Sequence, residues 1–224
     1  MSVQGSATPA SSPARPTGDE TRHALLATAT IAFARDGFHA VSTRRIAQDA
    51  QINQALIGYH FGGKDGLYHA VLAQAAAEVG AIAAPLLDDI AEALARGRAE
   101  QVGAATADFA TTMVAALLRP ESADPMQLIL REQQNPSTSF DALLDGFMDR
   151  LATTLTAAAA RLHPEGSAQT HRLTALSVMG QVLIFRTAHA VALRQLDETD
   201  PAARIPTVQE HVRRAVIAIL AAPA

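Results

Sequence analysis

The sequence predicts an all-α protein in which an N-terminal three-helix unit containing a helix-turn-helix precedes a larger helical domain. Three observations carry this. Helix formers, Ala and Leu above all, dominate almost every window, while aromatic residues make up only 4% of the chain and Trp is missing. Apolar residues recur at three- and four-residue intervals, the period of one helix face. Proline and glycine punctuate the chain at helix-length spacings, at Gly37, Gly62-Gly63, Pro85, Pro120, Pro136, Pro164 and Pro206 among others. With 224 residues, 49% of them apolar, the chain is long enough to bury a substantial core.

Taken in order, residues 1–19 are rich in Ser, Pro, Ala, Thr and Gly, show no apolar period, and are predicted to be a disordered arm. From Thr21 a helical signal begins: Leu25, Ala29 and Phe33 repeat every four residues with Leu26 and Thr30 alongside. Gly37 supplies the stop, because it takes the left-handed conformation that ends helices. Ser42 is a good N-cap for a short helix carrying Thr43, Arg44, Arg45, Ile46 and Ala47. Asp49 to Ile52 make a tight turn, and Asn53 caps a third short helix running to about His60. Phe61-Gly62-Gly63 breaks the chain, and Lys64 opens a fourth helix to about Gly80. Two short helices joined by a turn cannot bury themselves, so Ile46, Ala47, Ile52 and Ile57 are predicted to pack on the first helix. Further helices are predicted over 84–96, 99–118, 124–134, 138–162, 168–195 and 207–222, with a break at Pro85.

Composition excludes several classes of function. Without cysteine there is no disulfide, thiol catalysis or Cys-type zinc site. No H-E-x-x-H, G-x-S-x-G or His/carboxylate cluster at metal spacing is found, so no enzyme, cofactor or metal is expected. Gly58 to Lys64 formally matches G-x-x-x-x-G-K, but Asp65 stands where magnesium binding needs Ser or Thr, and a helix precedes it instead of a strand. No secretory h-region opens the chain, and the most apolar long stretch, Ala175 to Leu193, is interrupted by Gln181, Arg186 and His189. A cytoplasmic protein with no membrane partner is expected. Net charge is −4, yet residues 20–72 hold five Lys/Arg against four Asp/Glu, a local +1 of the right sign for nucleic acid but weak.

The run Ala32-Phe33-Ala34-Arg35-Asp36-Gly37-Phe38, then Ser42-Thr43-Arg44-Arg45-Ile46-Ala47, then Tyr59-His60-Phe61-Gly62-Gly63-Lys64 resembles, in order and spacing, the N-terminal domain of TetR-family regulators. Arg131-Glu132, Asn135-Pro136-Ser137, Phe140, Gly180-Gln181 and Phe185-Arg186 resemble the CecR-type subgroup. The resemblance implies a helix-turn-helix DNA-binding domain over 20–72 and a helical ligand-binding and dimerisation domain over 73–224. It implies that Ser42, Thr43 and Arg44 meet phosphates at a helix N-terminus, where free N–H groups and the dipole favour anions. Tyr59, His60 and Lys64 would hold a second phosphate track, although His60 can equally be a packing residue and Ser42 is also an N-cap. Base reading falls to Gln54, Ala55 and Leu56: Gln pairs two-pronged with adenine, and Ala or Leu packs on thymine methyls. Two departures stand out. Gln51 occupies a turn position usually held by Gly and must take a positive φ or reshape the turn, and Gly58 replaces a frequent Tyr.

In the larger domain, Leu173, Leu176, Gly180, Leu183, Thr187 and Ala190 form a coiled-coil-like seam, and Phe140, Leu143, Leu144, Phe147, Leu151 and Leu155 form a second stripe. Either both fill the monomer core, or they pair across a two-fold axis as a four-helix bundle; the resemblance favours a homodimer. Phe109, Met113, Met126, Met148, Met179 and Phe185 are adaptable candidate liners of an effector pocket, with Arg131 as a charged one; Arg131, Glu132 and Arg186 either meet a ligand or pair with each other. The function so implied is a repressor that binds a palindromic operator DNA as a dimer and is released by a small-molecule effector. A small-molecule binding protein without DNA function is the rival.

Overall fold

The computed structural model describes residues 17–137, 147–195 and 203–222, and among these there is no β-strand. Helix α1 (Gly18–Asp36) begins earlier than the composition suggests, so residues 18 and 19 belong to it and not to an arm. The cause is a capping box: the Thr17 hydroxyl accepts from the Glu20 N–H (3.3 Å) while the Thr17 N–H donates to the Glu20 carboxylate (2.7 Å). The rest of the predicted arm lies outside the described residues. Gly37 ends α1 where expected, its N–H on the Phe33 carbonyl, but at φ 81° and ψ 165° it is extended with a positive φ and not in the left-handed conformation expected of it.

Helix α2 (Thr43–Asp49) is capped by the Ser42 hydroxyl, which accepts from Arg45 N–H at 3.2 Å. Gln51 does take a positive φ, 56°, the one non-glycine among the described residues to do so. Helix α3 (Ala55–Phe61) follows, with Asn53 Oδ1 accepting the Ala55 N–H at 2.9 Å. Ile46, Ala47 and Ile57 are buried against Leu25, Ala29 and Phe33, and Ile52 packs on the same cluster. This three-helix reader therefore forms as its apolar spacing requires.

Helix α4 (Lys64–Arg96) runs 33 residues straight through Pro85, where the sequence predicts a break. A proline inside a helix costs about 3 kcal/mol. Val79, Ala83, Leu87 and Ile90 lie on the buried face to either side, and large apolar side chains contribute about 1.5–3 kcal/mol each when buried. Tertiary burial wins over the local breaker.

Helix α5 (Ala99–Leu118) is the centre of the body, packed against α4 and the later helices. A 3₁₀ turn (Pro120–Ser122) leads to α6 (Ala123–Gln134). Then come α7 (Asp149–Leu162), α8 (Ala168–Thr187), α9 (His189–Gln195) and α10 (Ile205–Ala221). The single helix predicted over 168–195 is two: Thr187 returns its hydroxyl to the Leu183 and Ile184 carbonyls (3.2 and 3.3 Å), and the chain turns at Ala188. By length and composition α4 and α5 would each cross a membrane, but α5 packs against α4 and α10 as an interior helix does.

The two apolar stripes of the body have different fates. Leu151 and Leu155 are buried in the monomer core with Phe147 packed beside them, so this stripe does not face a partner as a four-helix bundle would require; Phe140, Leu143 and Leu144 lie outside the described residues. On α8 the start of the seam is open, with Leu173 and Leu176 55% and 59% exposed, but Leu183 of the same seam packs on the core and lines a body cavity. The monomer took the first stripe into its core and left only the start of the second bare.

Candidate nucleic-acid interface

The N-termini of α2 and α3 meet. Gln54 Nε2 donates to Thr43 Oγ1 at 3.1 Å, joining the first residue of one short helix to the residue preceding the other. Around this bond Thr43, Asn53, Gln54, Ala55 and Gly58 line an open hollow on the reader surface. Asn53 was not singled out by sequence as a surface contact; its position beside Gln54 at the helix start was the available signal. Ser42 spends its hydroxyl on capping the Arg45 N–H and its carbonyl on the Ile46 N–H, so in the first turn of α2 the Thr43 and Arg44 N–H groups are the ones without an intrahelical partner. Arg44 is exposed and pairs with nothing among the described residues, whereas Arg45 is engaged by Asp36 (2.9 Å) and Asp49 (3.7 Å). The Arg35 hydrogen bond, with help from the charges of Arg35 and Arg45, holds the Asp36 carboxyl below the usual carboxylate range, so this acid stays charged and ion-paired.

At the far end of α3, Tyr59 is 81% exposed and His60, half buried, meets its ring edge-on at 5.0 Å. Phe61 packs on the reader core under the Arg22 guanidinium, 5.4 Å from its centroid. The Lys64 ammonium sits 4.4 Å from the Phe38 ring centroid, a cation–π contact that fixes it at the α4 N-terminus. Gln54 and Ala55 are exposed; Leu56 is not their equal, being half buried and packed on the reader core. Successive helical residues point about 100° apart, at 3.6 residues per turn, so three in a row do not share one face. Among the described residues no group of His, Asp and Glu is placed to hold a metal ion.

A second site lies in the body, a cavity leaving about 50 Å³ for a water-sized sphere. Phe109, Met113, Met126, Met148 and Met179 line it, as the sequence predicts, together with the Gln133 amide. α4 also reaches it through Ala76 and Val79, which sequence reasoning missed because small and β-branched core residues carry no mark of a pocket. Two expected liners are elsewhere. Phe185 packs edge-on to His211 at 6.2 Å, and Arg131 points to the reader, its Nη2 donating to the Arg35 carbonyl at 3.0 Å. Nor do Arg131, Glu132 and Arg186 pair with each other. Arg186 is held below its usual pKa by burial, partly offset by Asp124. Glu132, 1% exposed, accepts from the Tyr68 hydroxyl at 2.8 Å and from the Ser137 N–H and hydroxyl at 2.7 and 2.6 Å.

Burial, and then the Glu132 hydrogen bond and charge, hold the Tyr68 phenol protonated well above its ordinary value. A raised folded-state pKa means the stabilisation is complete below the unfolded value of about 10 and is lost as pH climbs beyond it. Tyr68 and Tyr59 are the chain's two tyrosines. In a Tyr59→Phe protein the ultraviolet phenolate signal is expected to rise only above pH ~10, and Glu132→Gln is expected to bring it down. Ionisation at or below the ordinary phenol value would contradict the assignment.

A bare short helix on a three-helix reader, continued by a helical body with an apolar cavity, defines a class: the helix-turn-helix transcription regulators. Residues 25–71 match the pattern described as bacterial regulatory proteins, tetR family. Residues 105–223 match the C-terminal domain of the HTH-type transcriptional dual regulator CecR. The chain belongs to the TetR family of bacterial regulators, in its CecR type, and is a DNA-binding transcriptional regulator. The rival reading, a binding protein without DNA function, falls with that. Solved structures of the same fold include a tetR-family regulatory protein from Rhodococcus RHA1 at 17% identity, covering 88% of this chain and 97% of that one, TM-score 0.63. A TetR-family transcriptional regulator from Streptomyces coelicolor is similar at 21% identity, 90% and 95% coverage and TM-score 0.57. AmtR from Mycobacterium smegmatis is similar at 20% identity, 95% and 90% coverage and TM-score 0.56. At these identities the likeness is one of fold. No curated protein matches the chain in sequence.

Proposed function

We propose that the chain acts as a homodimeric repressor that grips a palindromic operator and is released when a small apolar effector enters the body cavity. The observation that carries this reading is the bare N-terminal end of α3, where Gln54 and Ala55 stand in the open beside Thr43. Gln54 and Ala55 read base edges in the major groove, with Leu56 in a lesser part; Ser42, Thr43, Arg44, Tyr59, His60 and Lys64 hold phosphates and set register. One such helix reads too few base pairs to be selective, and the exposed α8 seam supports a second copy that sets two readers about 34 Å apart, or a multiple of it. The methionine-lined cavity supports an effector that binds better when the readers are splayed, shifting the population away from the DNA-competent state. In this reading residues 20–72 are the reader and 73–224 the effector and dimer domain.

Selection from random-sequence DNA followed by footprinting tests the first half. Recovery of no preferred sequence would sink it. A thermal-shift screen of uncharged compounds, with each hit assayed for operator release, tests the second. With the operator in hand, Lys64→Ala is expected to weaken binding to all sequences and to lower the slope of log affinity against log salt by about 1. Gln54→Ala is expected to cost about 1–3 kcal/mol at one base position and to relax preference there. A uniform loss across every operator variant from the Gln54 change would remove it from base reading.

A further inference from the structure

Helix α6 has two working faces. Met126, Ile129 and Gln133, three and four residues apart, line the body cavity. Leu128, Arg131 and Glu132, with the same spacing on the other side, belong to the reader: Leu128 is buried in the reader's own apolar cluster. Arg131 Nη2 donates to the Arg35 carbonyl in the last turn of α1, and its guanidinium lies where a side chain at Gly37 would stand, 3.3 Å from an added Cβ. Glu132 Oε2 accepts from Tyr68 on α4, and Oε1 accepts twice from Ser137. The Tyr68 ring in turn meets Phe38 at 4.8 Å and Phe33 at 5.1 Å, and Phe38 carries the Lys64 ammonium. The contacts run without a gap from the cavity wall to the residues at the DNA end of α4.

Such a polar contact is suited to switching. A buried carboxylate that loses a donor is left unsatisfied at full cost, so small displacements are resisted and a large one releases the contact altogether. The cavity has room for about 50 Å³, well short of the roughly 300 Å³ at which drug-sized pockets begin. Anything of that size must move a wall; two walls reach the reader, α4 by running into it and α6 by contacts on its back, and the two meet at the Tyr68–Glu132 hydrogen bond.

From this arrangement we infer that Tyr68, Arg131 and Glu132 are positioning residues, a clasp through which the filling of the cavity moves the reader. The inference rests on the reading that the cavity takes an effector, but its test uses no effector. Val182 faces the cavity from α8, across from α6, so Val182→Phe fills the space from within the chain. Operator affinity is measured for the parent, for Val182→Phe, for the unclasped Tyr68→Phe/Arg131→Met protein, and for all three changes together. Val182→Phe is expected to weaken operator binding about tenfold in the clasped protein, within the usual range of allosteric coupling, and less than about threefold in the unclasped one. Equal factors in the two backgrounds, or no loss from Val182→Phe in the folded clasped protein, would overturn the clasp. If Val182→Phe gives no cooperative melt, Met148→Trp, which enlarges a half-buried side chain on the same cavity, takes its place in the same cycle and must show the same inequality. A compound screen that finds no effector while the cycle is non-additive would count against the effector and leave the clasp standing.

Discussion

Leu173→Glu combined with Leu176→Glu is expected to convert the proposed dimer to monomers and to lower operator affinity by about a hundredfold or more. Both leucines are more than half exposed on α8, and a groove lined by Ala152, Thr156, Ala157 and Ala160 of α7 runs beside Leu176. Small side chains next to bare leucines are what close helix packing needs. Placing two carboxylates there desolvates charges without partners if the face is covered, and costs almost nothing if it is not. The operator term is large because two linked readers bind as one ligand, whereas a lone reader must occupy each half-site independently. Sedimentation at micromolar concentration, with operator titration on the same sample, checks both halves. A variant that remains a dimer with parental affinity would move the interface elsewhere.

The second large effect is expected at Gly66. A Cβ built there lies 1.8 Å from the Phe61 carbonyl oxygen and 3.0 Å from its carbon. Neither is a flexible side-chain tip; both are backbone at the end of α3, so α3 and α4 must separate before any side chain fits. Gly66→Ala is therefore expected to unseat α3, to lose about 4–5 kcal/mol of reader stability, and to abolish operator binding while the body keeps its helical melt. Gly58→Ala is the matched control, since its added Cβ meets nothing within 4 Å and Ala is favoured over Gly by about 1 kcal/mol in a helix interior. Equal melting behaviour of the two variants would show that the α3–α4 junction tolerates rearrangement.

The reader was legible in the sequence because its rules are local. A Ser42 cap, a Gly37 stop, a forced left-handed turn at Gln51 and a four-residue apolar repeat each act within one or two turns of chain, and each is found as expected. What escaped was decided at long range. Pro85 breaks a helix only if nothing holds its two flanks, and four buried residues hold them. Arg131 reads as a charge in an apolar stretch, and its partner is a carbonyl 96 residues away. The stripe through Leu151 and Leu155 and the seam from Leu173 to Leu183 have the same periodicity, but the monomer's interior took the first and only the Leu183 end of the second. Periodicity states that a face will be covered; it does not state by what. Leu56 sits half-buried on the reader core while Gln54 and Ala55 stand exposed, because three consecutive helical positions do not share a face.

The hydrogen bond between Gln54 and Thr43 settles beforehand how the amide is carried to the groove. A free glutamine samples many rotamers, and ordering such a chain on contact costs about 0.5–1.5 kcal/mol. Here one N–H is already anchored to a threonine hydroxyl, so that entropy is spent when the protein folds and not when it meets its operator. The remaining N–H and the carbonyl oxygen stay available for a base edge. In the base-reading role proposed for Gln54, the amide would arrive aimed, and a mismatched base would meet a side chain with little freedom to turn and accommodate it.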